Sequence, residues 1–135
     1  QLGKAALVQD GDAATVIGCG VMVGKAQEAA KLLADSGIKI RVLNMATIKP
    51  VDKEAILKAA KETGAIVTAE EHNVIGGLGS AVSEVLGEGW PVPFERVGIQ
   101  DVFGRSGSPD ELLEHFGLTA KTVADAVKRV IERKK

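Results

Sequence analysis

The 135-residue chain carries 17 basic and 18 acidic side chains, and 45% of its residues are hydrophobic. A net charge of -1 gives no electrostatic reason to bind nucleic acid or an anionic membrane. The longest charge-free stretch, 13–24, is shorter than the roughly 18 to 20 apolar residues of a membrane helix. We therefore expect one soluble domain over residues 1–135.

The start of the chain and its lone cysteine bear on processing and on the cellular compartment. No secretory signal opens the sequence, and Gln1 in place of methionine suggests a piece of a longer or processed chain. Cys19 cannot form an internal disulfide, which is compatible with a reducing, cytoplasmic location.

Strand and helix patterns alternate from the start of the chain. Lys4–Gln9 and Ala14–Cys19 are predicted strands, and the Asp10-Gly11 turn between them favours an antiparallel hairpin. Apolar residues at helical spacing then predict a helix over Met22–Ser36, with Gly37 as its left-handed cap.

The middle of the chain repeats this order. The alternation of apolar and charged residues predicts a strand from Ile38 to about Asn44. Asp52 is placed to cap the next helix, which Gly64 ends. The next strand is Ala65–Ala69, and a helix with an apolar stripe follows it.

The last part of the chain adds one strand and two helices. Two prolines precede the strand Phe94–Ile99, which suits the edge of a sheet. Ser108 begins a capping box for a short helix with Pro109 at its first position, and Thr119 caps the terminal helix. This alternation predicts an α/β fold with a mostly parallel, doubly covered sheet, whose functional loops follow the carboxyl ends of the strands.

A glycine-rich turn follows the second predicted strand. Gly18, Gly20 and Gly24 stand where backbone N–H groups can approach a pyrophosphate. A dinucleotide site also needs an acidic residue at the end of the next strand, where about Asn44 stands. We favour tight strand-to-helix packing as the role of these glycines, with nucleotide binding as the alternative.

Two carboxylates and an imidazole end the strand in the middle of the chain. Glu70, Glu71 and His72 could build a general base or a metal site there. Neighbouring strand residues point to opposite faces, so Glu70 and His72 could converge whereas Glu71 could not. Because two ligands make a poor metal site, we favour loop ordering or contact with a neighbouring domain.

Two further segments could hold an anion. Gly76, Gly77 and Gly79 lie where a helix begins and its N–H groups are exposed, although packing or a domain contact is favoured. Arg105 could bind a phosphate or carboxylate through two hydrogen bonds, and a solvated loop explains it equally well. The candidate interface or anion residues are Gly18, Gly20, Glu70, His72, Gly76, Gly77, Gly79 and Arg105.

Four segments, spread over nearly the whole chain, resemble the C-terminal portion of transketolases. They read GCGVM at 18–22, NMATIKPVD at 44–52, EEHNVIGGLGSAV at 70–82 and FGRSGSPDELLEHFGLT at 103–119. Two other thiamine-diphosphate proteins, deoxyxylulose-phosphate synthase and the beta chain of 2-oxo acid dehydrogenases, have similar glycine-rich turns. The run Phe103 to Gly107 is more like transketolase than either.

The resemblance implies a three-layer α/β/α domain with a five-stranded, mostly parallel sheet. Its first strand would be antiparallel and would lie beside the third strand, which replaces the hairpin that Asp10-Gly11 suggests. The parent enzyme would be a homodimer of the pentose phosphate pathway that transfers a two-carbon ketol unit between sugar phosphates. It would bind thiamine diphosphate and magnesium between two other domains.

The resemblance places neither the cofactor nor the chemistry in this chain. The family's cofactor motif begins glycine-aspartate-glycine, and the nearest string here, Asp10-Gly11-Asp12, does not match it. We therefore expect no catalytic, cofactor-binding or metal-binding residue, and no activity of the isolated chain. Its expected role is structural, in assembly with upstream cofactor-binding domains or a separate subunit. A free-standing nucleotide-binding domain is the alternative from another functional class.

Overall fold

A computed structural model describes residues 4–46, 50–73, 77–99 and 118–134, apart from the side chains of residues 72, 73 and 99. Strands and helices alternate over these ranges, which confirms the predicted α/β class. The elements are β1 (Ala6–Gln9), β2 (Thr15–Gly18), α1 (Met22–Ala34), β3 (Arg41–Asn44), α2 (Lys53–Thr63), β4 (Ile66–Asn73), α3 (Leu78–Glu88), β5 (Phe94–Ile99) and α4 (Ala120–Glu132).

The described strands form one five-stranded sheet in the order β1-β3-β2-β4-β5. β1 is antiparallel to β3, and the other neighbouring strands are parallel. The resemblance to transketolase predicts this arrangement, and the prediction is confirmed. The edge position of β5 is confirmed as well.

The hairpin that the Asp10-Gly11 turn favours is wrong, because β1 pairs with β3 and not with β2. The turn instead carries the chain across the start of β3. A Cβ atom on Gly11 would lie 2.5 Å from the backbone carbon of Ile40, so only glycine allows this crossing. Asp10 meanwhile accepts a hydrogen bond from Nε of Arg41 at 2.9 Å.

The sheet separates two hydrophobic clusters. Helices α1 and α4 cover one face, where Val16, Leu33 and Val127 are fully buried. Helices α2 and α3 cover the other face, where Ile17 and Ile56 are fully buried. Successive residues of β2 thus serve opposite faces, as strand geometry requires. The three-layer architecture is confirmed.

Local capping signals are also confirmed in the described residues. Asp52 accepts a hydrogen bond from the Ala55 N–H at 3.1 Å, and the hydroxyl of Thr119 accepts one from the next turn at 3.2 Å. Gly64 has φ of 73° and Gly37 has φ of 79°, the left-handed backbone that follows a helix. The capping box at Ser108 lies outside the described residues.

Two other features of the described ranges bear on the site. β4 extends to Asn73, four residues beyond the predicted end at Ala69, so that Glu70, Glu71 and His72 belong to the strand itself. No helix in these ranges is both long enough and apolar enough to cross a membrane.

Candidate functional site

The candidate residues of β2 and β4 meet in the centre of the sheet. β2 and β4 are parallel neighbours, and Gly18 is paired with Ala69 at their carboxyl ends. From β2 the chain crosses to β3 on one side, while β4 leads to β5 on the other. This is the switch point of the sheet, where open α/β folds bind their ligands.

The carboxylate of Glu70 lies at this switch point and is completely buried. Its Oε1 accepts a hydrogen bond from the Leu78 N–H at 2.8 Å. Its Oε2 accepts one from the Gly79 N–H, also at 2.8 Å. Gly77, the N-cap residue of α3, offers no side chain for this purpose. Glu70 therefore caps α3 from the neighbouring strand.

Gly79 is closely packed beside this cap. A Cβ atom there would lie 3.0 Å from Cδ of Arg96 and 3.2 Å from the hydroxyl oxygen of Thr68. Thr68 is fully buried, and its hydroxyl has no hydrogen-bond partner within the described ranges. A substituent on Gly79 would thus require the side chains of Arg96 and Thr68 to shift by a few tenths of an ångström.

The glycine-rich turn between β2 and α1 favours the packing role. A Cβ atom on Gly18 would lie 3.3 Å from the backbone nitrogen of Val23, and Gly20 has φ of 61°. The first N–H groups of α1 are already used, since Met22 donates to the carbonyl of Cys19 at 3.3 Å and Val23 to that of Gly20 at 3.2 Å. A pyrophosphate would have to break these bonds.

Glu71 points away from Glu70, as the alternation along β4 predicts. Its Oε1 lies 3.0 Å from the position that a Cβ atom on Gly20 would occupy. The thiol of Cys19 is close by and half-buried, and its pKa is raised by burial first and then by the charges of Glu70 and Glu71. A thiol that holds its proton is a poor nucleophile and a poor metal ligand.

Three of the candidate residues, His72, Gly76 and Arg105, are described only in part or not at all. The backbone of His72 continues β4, but its side chain is not described, so its convergence with Glu70 stays a prediction. Gly76 and Arg105 lie outside the described residues. No group of three His, Cys, Asp or Glu side chains within the described ranges could hold a metal ion.

Sequence reasoning missed an ion-pair cluster at the opposite end of the sheet. Arg41 donates from Nε to Asp10 at 2.9 Å and from a terminal nitrogen to Glu62 at 2.7 Å. The hydrogen bond from Arg41 is the largest of the effects that lower the pKa of Asp10. A cavity of about 260 Å³ opens beside these groups, between β1 and α2. The alternation of apolar and charged residues predicts a strand here, but nothing in the sequence pairs Arg41 with distant carboxylates.

Comparison with known proteins matches this fold and these segments to one family. Residues 3–123 match the family described as "Transketolase, C-terminal domain". A 6-deoxy-6-sulfo-D-fructose transketolase subunit of Clostridium sp. (strain MSTE9) is 53% identical over 98% of this chain and 41% of the relative. The 1-deoxy-D-xylulose-5-phosphate synthase of Heliobacterium modesticaldum is 44% identical over 97% of this chain and 20% of its own length.

A solved structure of a transketolase has the same fold as this chain. The "Split gene transketolase, inactive beta4 tetramer" has a TM-score of 0.95 and 49% identity, and the match covers 100% of this chain and 44% of that one. The chain therefore spans less than half the length of these relatives. Fold, motifs and sequence identity over nearly the whole length agree, and the chain belongs to the transketolase C-terminal domain family.

Proposed function

We propose that this chain is the structural and assembly domain of a transketolase that transfers a two-carbon ketol unit between sugar phosphates. The observation that carries the proposal is the use made of Glu70. This buried carboxylate at the ligand-binding edge of the sheet gives both of its oxygens to the backbone of α3. A general base needs an oxygen that can reach a substrate proton, so the complete burial of Glu70 and its two N–H partners support a capping role instead.

The proposed parent holds its cofactor elsewhere. The chain spans 41% of the Clostridium subunit and 44% of the split-gene chain, so most of each relative lies outside the matched region. Two observations support binding of magnesium and thiamine diphosphate elsewhere: the described residues offer no group of three His, Cys, Asp or Glu side chains for a metal ion, and the N–H groups of Leu78 and Gly79 already donate to Glu70. Both groups would be bound by upstream domains or by a partner subunit.

The proposal includes an assembly. The Clostridium relative is named as a transketolase subunit, and the solved structure is named as a split-gene tetramer. We therefore infer a partner subunit or upstream domain. A homodimer in the cytoplasm, which the resemblance to transketolases implies, is the proposed working form of the parent. Two buried hydrophobic clusters cover the two faces of the sheet in the described residues, which supports a self-folding domain that contributes its surfaces to the assembly.

Two alternatives make different predictions. The match to the Heliobacterium enzyme admits a parent that forms 1-deoxy-D-xylulose 5-phosphate, and a product assay of the parent separates this from ketol transfer. A free-standing nucleotide-binding domain would need open N–H groups and an acidic ribose ligand. Asn44 stands at the end of β3, and the N–H groups of Met22 and Val23 at the start of α1 already have acceptors, so this alternative has less support.

The direct test is titration calorimetry of the isolated chain with thiamine diphosphate and magnesium, with the parent enzyme as the positive control. We expect saturable heat with the parent and none with the chain. Saturable, magnesium-dependent binding to the isolated chain at micromolar cofactor would contradict the proposal.

A further inference from the structure

We propose that Asp10-Gly11 is a modification site, open to spontaneous isomerisation of aspartate, and that Arg41 holds this reaction back in the folded chain. The sequence contains one Asp-Gly pair and no Asn-Gly pair. In these dipeptides the missing side chain of glycine leaves the carboxyl or amide carbon open to attack by the next backbone nitrogen. The inference concerns the chain itself and does not depend on the proposed function.

The reaction needs only the two residues of the turn and water. The Gly11 nitrogen bonds to Cγ of Asp10, and the bond from Cγ to a protonated carboxyl oxygen breaks. That oxygen leaves as water with the amide proton. Water then opens the succinimide ring at either carbonyl, which restores aspartate or gives isoaspartate. Because the leaving oxygen must carry a proton, the neutral carboxyl group reacts far more readily than the carboxylate.

The folded turn keeps the reacting groups close to each other and to solvent. The Gly11 N–H donates a hydrogen bond to Oδ1 of Asp10 at 2.8 Å. The side chain of Asp10 is 66% exposed, so water for the ring opening reaches it. Proximity and solvent access therefore favour isomerisation, and the ionised form of the carboxyl group opposes it.

Arg41 favours this ionised form from a fixed position. Its Nε donates to the same Oδ1 at 2.9 Å, and a terminal nitrogen donates to Glu62 at 2.7 Å. The side chain of Arg41 is only 12% exposed, so it is held between the two carboxylates. Its hydrogen bond is the first of the effects that lower the pKa of Asp10, ahead of the one from the Gly11 N–H. The other charged groups that line the cavities beside Asp10 are Asp12, Lys39 and Lys58.

Isomerisation would disturb the crossing of the chain over β3. Isoaspartate adds one methylene group to the main chain. Gly11 lies so close to β3 that even a Cβ atom on it would be 2.5 Å from the backbone carbon of Ile40, which leaves no room for the extra group. By keeping Asp10 ionised, Arg41 thus also protects the pairing of β1 with β3.

The experiment compares isoaspartate formation at Asp10 in the 135-residue chain with that in a peptide of residues 6–14. Both are held at neutral pH, below the unfolding temperature of the chain. An isoaspartyl methyltransferase with labelled S-adenosylmethionine counts the product, and fragmentation mass spectrometry locates it. We expect the wild-type chain to isomerise many-fold more slowly than the peptide. Arg41→Gln should raise the rate in the folded chain several-fold, whereas Arg41→Lys keeps the charge and should stay near the wild type.

Two control variants separate the ion pair from a general loosening of the fold. Glu62→Gln removes the other partner of Arg41, and Arg129→Gln removes an ion pair with Glu95 on the strand at the other edge of the sheet. Both should isomerise at the wild-type rate, and urea melts show whether each variant is folded.

Asp10→Asn separates the charge of the side chain from the geometry of the turn. The amide reacts through the same succinimide with loss of ammonia, and it cannot ionise. Relative to the matching peptide, folding should slow this reaction much less than it slows isomerisation of the wild-type Asp10. If Arg41→Gln does not fold, this comparison decides.

The proposal fails if the wild-type chain isomerises as fast as the peptide, or if folded Arg41→Gln keeps the wild-type rate. It also fails if Arg41→Lys or either control variant raises the rate as much as Arg41→Gln does. A folded Asp10→Asn chain that is slowed as strongly as the wild type would show that the turn geometry, and not Arg41, protects the site.

Discussion

Replacing Asp52 by alanine tests a side chain that joins two distant parts of the fold. Its Oδ1 accepts a hydrogen bond from the Ala55 N–H at 3.1 Å, which caps α2. Its Oδ2 accepts one from the Ala5 N–H at 2.8 Å, immediately before β1. Asp52 is only 7% exposed, so water does not readily replace the carboxylate. The alanine variant leaves both N–H groups without their acceptor.

The expected loss is larger than that of a simple cap. Loss of an N-cap costs about 1 kcal/mol in the free energy of unfolding. Loss of a second hydrogen bond to a charged acceptor costs about 1.5 to 3 kcal/mol. Ala5 precedes an edge strand that can fray into water, so we take the lower end of that range. Asp52→Ala should therefore destabilise the chain by about 2 to 3 kcal/mol.

Two further variants separate the cap of α2 from the hydrogen bond to the Ala5 N–H. Asp52→Ser keeps an oxygen at the cap of α2 but does not extend to Ala5, and should recover about 1 kcal/mol. Thr119→Ala removes a cap from α4 and should cost about 1 kcal/mol. Urea denaturation followed by circular dichroism gives the three values, and hydrogen exchange reports the amides of Ala5 and Ala55 separately. If Asp52→Ala costs no more than Thr119→Ala, the link from Asp52 to β1 contributes nothing and the reasoning fails.

Three further predictions concern glycine, thiol and acid groups. Gly20→Ala should lower the free energy of unfolding by about 1 to 2 kcal/mol, because φ of Gly20 is 61°. Gly24→Ala, in open space on α1, should be neutral or stabilising. Equal effects of the two variants in urea melts would contradict this. Cys19 should react with iodoacetamide more slowly at pH 8 than a reference cysteine peptide, since its raised pKa leaves less thiolate; an equal or faster rate would refute it. Asp10→Asn should destabilise at pH 7, and the difference should shrink as the pH falls below about 3.9, because Arg41 holds the folded pKa below the unfolded one. A difference that does not change with pH would count against this ion pair.

Local signals in the sequence predicted most of the fold because their physical causes are local. Asp52 and Thr119 cap helices that begin within three residues of them, and Gly64 takes a backbone conformation that most residues avoid. The alternation of strands and helices gave the α/β class. The Asp10-Gly11 turn misled because turn residues show where a chain bends, not which strand it pairs with afterwards.

The candidate site was predicted in parts but not as a unit. Glu70 and Gly79 were recognised separately as a possible base and a possible anion-binding terminus. Their hydrogen bond joins residues nine positions apart across two elements, and no periodicity reports such a contact. The same holds for Asp52 and Ala5, which lie 47 positions apart. Pairings of this kind follow from the tertiary fold.

The central claim, that this domain serves assembly and not chemistry, is tested most directly by deleting it from the parent enzyme. Dimerisation is measured by analytical ultracentrifugation, and turnover is measured per assembled dimer at protein concentrations high enough to restore the dimer. We expect a weaker dimer with turnover per dimer close to that of the intact enzyme, since the cofactor and sugar would be held upstream. Unchanged dimerisation with a collapse of turnover would contradict the account and make Glu70, His72 and Arg105 the first residues to test for a role in the reaction.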